Sequence, residues 1–143
     1  MSNIDFSQTV TVEAKAGAAR AALFADLANI RWQRETSGIT LPDGSTMATD
    51  ERSTAKLTAT VTSLQSGLVS GPLNFKFPDG WRSVSQAEIE AVAAAVAQHV
   101  QSCFDAELTV SGQIGALTDA EVPAFDVTSA FAAALEMAPE EAV

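Results

Sequence analysis

Residues 73–88 run Leu73-Asn74-Phe75-Lys76-Phe77-Pro78-Asp79-Gly80-Trp81-Arg82-Ser83-Val84-Ser85-Gln86-Ala87-Glu88, and three signals follow one another within them. Leu73, Phe75 and Phe77 alternate with Asn74 and Lys76, the period of a strand covered on one face. Pro78-Asp79-Gly80 then supplies turn chemistry, the proline fixing one backbone angle and the glycine accepting a positive one, before Trp81 to Val84 return as a second strand. Ser85-Gln86-Ala87-Glu88 has the spacing of a capping box, in which the Ser85 hydroxyl takes the amide of residue 88 and Glu88 reaches back to the amide of Ser85. A hairpin that feeds directly into a helix is thus written in one stretch.

The helix that starts there places Ile89, Val92, Val96, Val100 and Cys103 every three or four residues, with Phe104 beside them. Glu88, Glu90, Gln98, Gln101 and Asp105 fall mostly off this stripe, which is expected to form the centre of the core.

The same plan occurs upstream. Gly38 is a fitting left-handed helix end, and Ile39 to Leu41, Pro42-Asp43-Gly44 and Ser45 to Ala48 read as two short strands around a tight turn. Thr49 or Asp50 then caps a helix running from about Glu51 toward Gln65, although Thr58, Thr60, Val61 and Thr62 are β-branched and lower its propensity. Two repeats are too few for a solenoid, so the units are expected to close on each other as a pseudo-symmetric pair.

Ahead of both lies alanine-rich sequence from about Val12 to Glu35, with Leu23, Leu27 and Ile30 at i, i+4 and i+7. This is an amphipathic helix whose narrow stripe, continued by Ala16 and Ala19, suits close packing on another helix. The stripe either docks a partner or packs on the Ile89 to Cys103 helix, and the second is favoured. After Glu107, Gly112 and Gly115 are expected to interrupt the helix, Pro123 punctuates the chain, and Asp126 or Thr128 caps a short helix through Leu135. Glu136, Glu140 and Glu141 give an acidic tail.

The expected fold is α+β: an N-terminal amphipathic helix, then two hairpin-plus-helix units packed as one core, then a weakly structured C-terminal segment. The divisions fall at 1–36 (an oligomerisation or docking element), 37–110 (the core) and 111–143 (an extension with a short helix and the acidic tail).

Bulk composition narrows the function. At 143 residues, with 47% hydrophobic and 18% charged residues, the chain fits one folded domain. Its formal net charge of −10 repels phosphate backbones and anionic lipid, so neither nucleic acid nor membrane is expected as a partner. No apolar run approaches the ~18 residues of a membrane helix. Met1 to Val10 has no basic stretch leading into an apolar run, so secretion is not expected, and Cys103, the single cysteine, can form no internal disulfide.

The chemistry-bearing residues are few. His99 and Cys103 lie four apart on a helix, the geometry of a metal half-site or of a thiolate beside an imidazole. There is no second cysteine or histidine to complete a site, and Cys103 falls on the apolar stripe where free cysteine acts as a small hydrophobe. Glu88, Glu90, Asp105 and Glu107 fall on a solvated face rather than in a cleft that would raise a carboxyl pKa for acid catalysis. Neither Asp-Gly turn carries the oxygen-ligand series of a calcium loop. No catalytic residue, metal ligand or cofactor is therefore expected. Trp32 and Trp81 are either exposed anchors or fillers where hairpins meet helices; with 6% aromatic residues and no tyrosine, the second is favoured. The expected interaction residues are Leu23, Leu27, Ile30, Trp32 and Trp81.

Several strings taken together resemble a domain family of unknown biochemical activity that occurs in tail-fibre and tail-assembly proteins of tailed bacteriophages. They are Arg31-Trp32-Gln33-Arg34-Glu35 with Gly38-Ile39, Ala48-Thr49-Asp50 with Ser53, Phe75 with Asp79-Gly80, and Gln98-His99-Val100-Gln101 with Cys103-Phe104. The likeness spans roughly Ala28 to Glu107. Family members often carry a tryptophan before the second Asp-Gly turn, where this chain has Phe75 and puts Trp81 after the turn. The resemblance implies a structural component of a phage tail, at the baseplate or the tail-fibre attachment region. It would sit in the virion after assembly in the host cytoplasm, bind other tail proteins and occur in several copies or as a homo-oligomer. A tail-fibre assembly chaperone that leaves before the virion is complete is the alternative, and an enzyme is the least favoured.

Overall fold

The structure, a computed structural model, describes residues 6–137, with side chains described from residue 11. The elements in chain order are α1 (Phe6–Glu35), β1 (Ile39–Thr40), β2 (Thr46–Met47), α2 (Glu51–Gln65), β3 (Leu73–Phe77), β4 (Gly80–Val84), α3 (Gln86–Ala116), a 3-10 turn (Val122–Ala124) and α4 (Val127–Glu136). The class is α+β, with two separate antiparallel hairpins, β1–β2 and β3–β4.

Two compact units share this chain. One is Trp32–Phe104; the other joins the residues before Trp32 to those after Phe104. In Trp32–Phe104 both hairpin-plus-helix repeats contribute to one core. Leu41 and Met47 come from the first hairpin, Leu57 and Leu64 from α2, Phe77 and Val84 from the second hairpin, and Ile89, Val92 and Val96 from α3. Full burial of each such side chain contributes about 1.5–3 kcal/mol before chain entropy is counted. Arg82 ties the hairpins together: its guanidinium lies 3.9 Å over the Phe77 ring and 3.1 Å from the Asp43 carboxylate.

Helix starts follow the expected caps. Asp50 accepts from the Ser53 amide, and α2 spans Glu51 to Gln65 as its pattern predicts despite its β-branched residues. The Ser85 amide donates to Glu88 at 2.8 Å and the Glu88 amide to Ser85 Oγ at 3.1 Å, the reciprocal box. Asp126 caps α4 through the Ser129 amide.

The two Pro-Asp-Gly turns differ. In the first, the Gly44 amide donates to the Leu41 carbonyl and the Leu41 amide to the Ser45 carbonyl, so three residues form the loop and Gly44, at φ 88°, is a bulge. In the second, Phe77 pairs directly with Gly80 across a two-residue loop. Asp43 accepts from both the amide and the hydroxyl of Ser45, which holds the longer loop. Trp81, at the corresponding position of the second turn, has no hydroxyl to do the same.

Four expectations are corrected. α1 begins at Phe6, earlier than Val12. α3 runs through Gly112 and Gly115 without a break, and residue 111 lies inside it. Both glycines are exposed, while Val110 before them and Ile114 between them are fully buried, and that burial outweighs the roughly 1 kcal/mol propensity cost of each glycine. Phe104, expected in the core, is 43% exposed, because each helical step turns about 100° and carries it off the stripe on which Cys103 is buried. The fourth concerns Trp32 and Trp81 and is taken up below. Val100 is half-buried against the Trp32–Phe104 core. The expected tail at Glu140 and Glu141 lies outside the described residues.

The other unit has its own core, formed by Leu27 with Ala106, Val110, Ile114, Val127, Phe131 and Ala134; Leu23 and Ile30 are half-buried against it. Arg31 pairs with Glu107 at 2.8 Å. Arg20 reaches the Ile114 carbonyl at 2.6 Å, near the C-terminal end of α3, where a cation is favoured, and pairs with Asp119 at 3.0 Å.

Candidate functional site

The residues singled out in the sequence separate into those the fold consumes and those it leaves outside. Leu23, Leu27 and Ile30 are consumed: their stripe packs within the chain on α3, beyond Cys103, and on α4. Trp32 and Trp81 stay outside, 55% and 70% exposed, so the reading that they fill gaps does not hold. On β4 the alternation puts Val84 inward and Trp81 outward, and helical periodicity turns Trp32 away from the face that buries Leu27.

His99 and Cys103 do not form an open reactive pair. His99 Nε2 lies 3.1 Å from the carbonyl oxygens of both Arg34 and Glu35. Carbonyls only accept, so Nε2 carries the proton and His99 closes the C-terminal end of α1. Cys103 is buried. Among the described residues no group of three or more His, Cys, Asp or Glu is placed to hold a metal ion.

Thr49, the one buried polar residue among those described, joins His99. Its Oγ1 donates to the Glu35 carbonyl at 2.5 Å and accepts from the Gly38 amide at 2.9 Å. Gly38 sits at φ +90°, and a Cβ there would lie 3.2 Å from the Met47 carbonyl. Much of the string Arg34 to Gly38, Thr49 to Ser53 and His99 is therefore a fastening that binds the end of α1 to the start of α2 and the middle of α3. Sequence reasoning gave Thr49 only a possible capping role; that its hydroxyl serves α1 is decided by tertiary placement.

The carboxylates behave as caps. Ser53 holds Asp50 below the usual carboxylate range through its hydroxyl and amide, and Ser85 holds Glu88 there through its amide and hydroxyl. Gln86 and Gln65 do so for Glu90, the Thr118 amide for Glu121, the Ser129 amide for Asp126, and Ser45 for Asp43. Each shift favours the charged form, opposite to what a general acid needs.

An open cleft of about 710 Å³ lies between α2 and β3 in the Trp32–Phe104 unit. Arg52, Ser53, Lys56, Ala59, Thr60 and Ser63 form one wall at helical spacing. Leu73, Asn74, Phe75 and Lys76 form the other, with Trp81 and Val69 at its margins. A smaller pocket of about 300 Å³ shares Ser53, Lys56, Phe75 and Lys76 and extends the cleft to Met47 and Pro78. Three of the chain's eight Lys and Arg residues line the large cleft, and no lining residue is acidic. Lys76 Nζ lies 5.7 Å from the Trp81 ring, its partner in strand register. β3 pairs with β4 on one side only, so its other edge has no strand partner among the described residues. Nothing in the sequence announces this cluster, because its cations come from a helix and a strand that only the fold brings together.

No curated protein and no solved structure matches the chain. One family does match, over residues 18–133, and its description is a domain of unknown function, DUF4376. That match takes in α1 from residue 18, both hairpins, α2, α3 and most of α4, and so nearly the whole of both cores. The chain belongs to the DUF4376 family.

Proposed function

We propose that this protein is a structural, protein-binding component of a bacteriophage tail, located at the baseplate or the tail-fibre attachment region and carrying out no chemistry of its own. The observation that carries the binding half is Trp81, 70% exposed at the margin of a cleft whose three cations face no lining carboxylate. Exposed tryptophan beside an open apolar and charged cleft is the composition of a protein-binding surface. The tail half rests on the ordered likeness from Arg31 to Phe104 to a domain of phage tail-fibre and tail-assembly proteins.

The test is quantitative mass spectrometry of purified phage particles and of the lysate that yields them. A fixed stoichiometry in particles supports the reading. Presence in the lysate with absence from particles replaces it with the assembly-chaperone reading, and hydrolysis of host-wall polymers by the purified chain would overturn both.

A further inference from the structure

We infer that the cleft between α2 and β3 takes an extended acidic segment of a partner protein, which adds to the free edge of β3 as a third strand. The inference rests on the reading of the chain as a protein-binding component and names the chemistry of the partner.

Two independent observations point the same way. The first is charge: the chain as a whole carries −10, yet Arg52 and Lys56 on one wall and Lys76 on the other line one cleft without an acidic neighbour in its lining. Among the described residues none of the three has a carboxylate partner, so their charges are available to an anionic guest. The second is the backbone: β3 belongs to a two-stranded sheet, and the side of it away from β4 carries N–H and C=O groups that no strand among the described residues meets. An edge strand lined by apolar and basic side chains is a template for an added strand.

The two together select the occupant. An extended segment puts successive side chains on opposite faces, so an alternating acidic and apolar sequence can set carboxylates on the face of Lys76 while its apolar side chains lie on the other face, that of Phe75. A nucleic acid would offer phosphates but no backbone amides for the strand edge, and the rest of the surface would repel it.

The probe is a fluorescein-labelled peptide of alternating Glu and Val, titrated into the full chain and followed by anisotropy and by Trp81 fluorescence, with Trp32→Phe as background. Saturable binding is expected, weakening as salt is raised. Arg52→Glu combined with Lys76→Glu should lower affinity about tenfold or more. Both sites are on the surface, and unchanged circular dichroism confirms that the variant is folded. N-methylation of alternate peptide amides should abolish binding, because it removes the donors a strand needs.

Three results would overturn the inference: equal binding of a Lys and Val peptide, indifference to N-methylation, or tighter binding of a thymidine oligonucleotide. If the acidic peptide fails to bind while the protein is present in purified particles, this inference falls and the structural-component reading stands.

Discussion

Thr49 and His99 hydrogen-bond to the same oxygen, the carbonyl of Glu35, at 2.5 and 3.1 Å. One comes from the turn before α2 and the other from the middle of α3, so the last turn of α1 is held by two elements far apart in sequence. Thr49→Val keeps the shape and removes the hydroxyl, leaving the Gly38 amide and one of the two bonds to Glu35 unmade. It should destabilise by about 1–3 kcal/mol in urea unfolding, whereas Thr49→Ser should cost less than half of that. An unchanged Thr49→Val midpoint would remove the fastening from the account.

His99→Ala should cost about 1 kcal/mol, since it frees the carbonyls of Arg34 and Glu35 at a helix end where a ring N–H is favoured. Cys103 lies beneath the surface, so its thiol should react with a disulfide reagent only at the rate at which the native state opens. Fast stoichiometric labelling in native buffer would contradict this.

Acid should weaken the protein through its caps. The carboxyls of Asp50, Glu88 and Asp126 are held below their ordinary values in the folded chain, so each contributes stability that is fully present above the ordinary carboxylate range of about pH 4. That contribution is lost as pH falls through the depressed folded values. Asp50→Asn retains an Ncap acceptor without the titration, and its urea midpoint should fall less between pH 5 and pH 2.5 than that of the parent chain.

Gly115→Ala should stabilise by about 0.5–1 kcal/mol, because the position is helical and a Cβ there meets nothing within 4 Å. Gly38→Ala should act in the opposite direction, with φ at +90° and the Met47 carbonyl 3.2 Å from the new carbon. Thermal midpoints of the two variants settle the pair of signs.

Much of this fold was legible because its signals are local. The capping box at Ser85, the bounds of α2 and the alternation in β3 each depend on residues within one or two turns of chain, and all stand as predicted. What the sequence hid depends on distant partners. Gly112 and Gly115 looked like breaks because the burial that overrides them comes from Leu27, Val127 and Phe131. The cleft was invisible because Arg52 and Lys76 are neighbours only after the hairpin folds against α2. Trp81 was misplaced for a related reason: aromatic residues are usually covered, and the alternation that turns it outward is fixed by the inward Val84.

The division of the chain also sets an order of events during synthesis. Residues Trp32 to Phe104 are contiguous and can close their core as soon as they leave the ribosome, but Leu23, Leu27 and Ile30 have left before them and gain their cover only from residues after Phe104. Until the rest of α3 and then α4 emerge, the nascent protein therefore carries an incompletely covered apolar stripe at its front, and premature termination soon after Phe104 would release a chain that is folded behind and adhesive ahead.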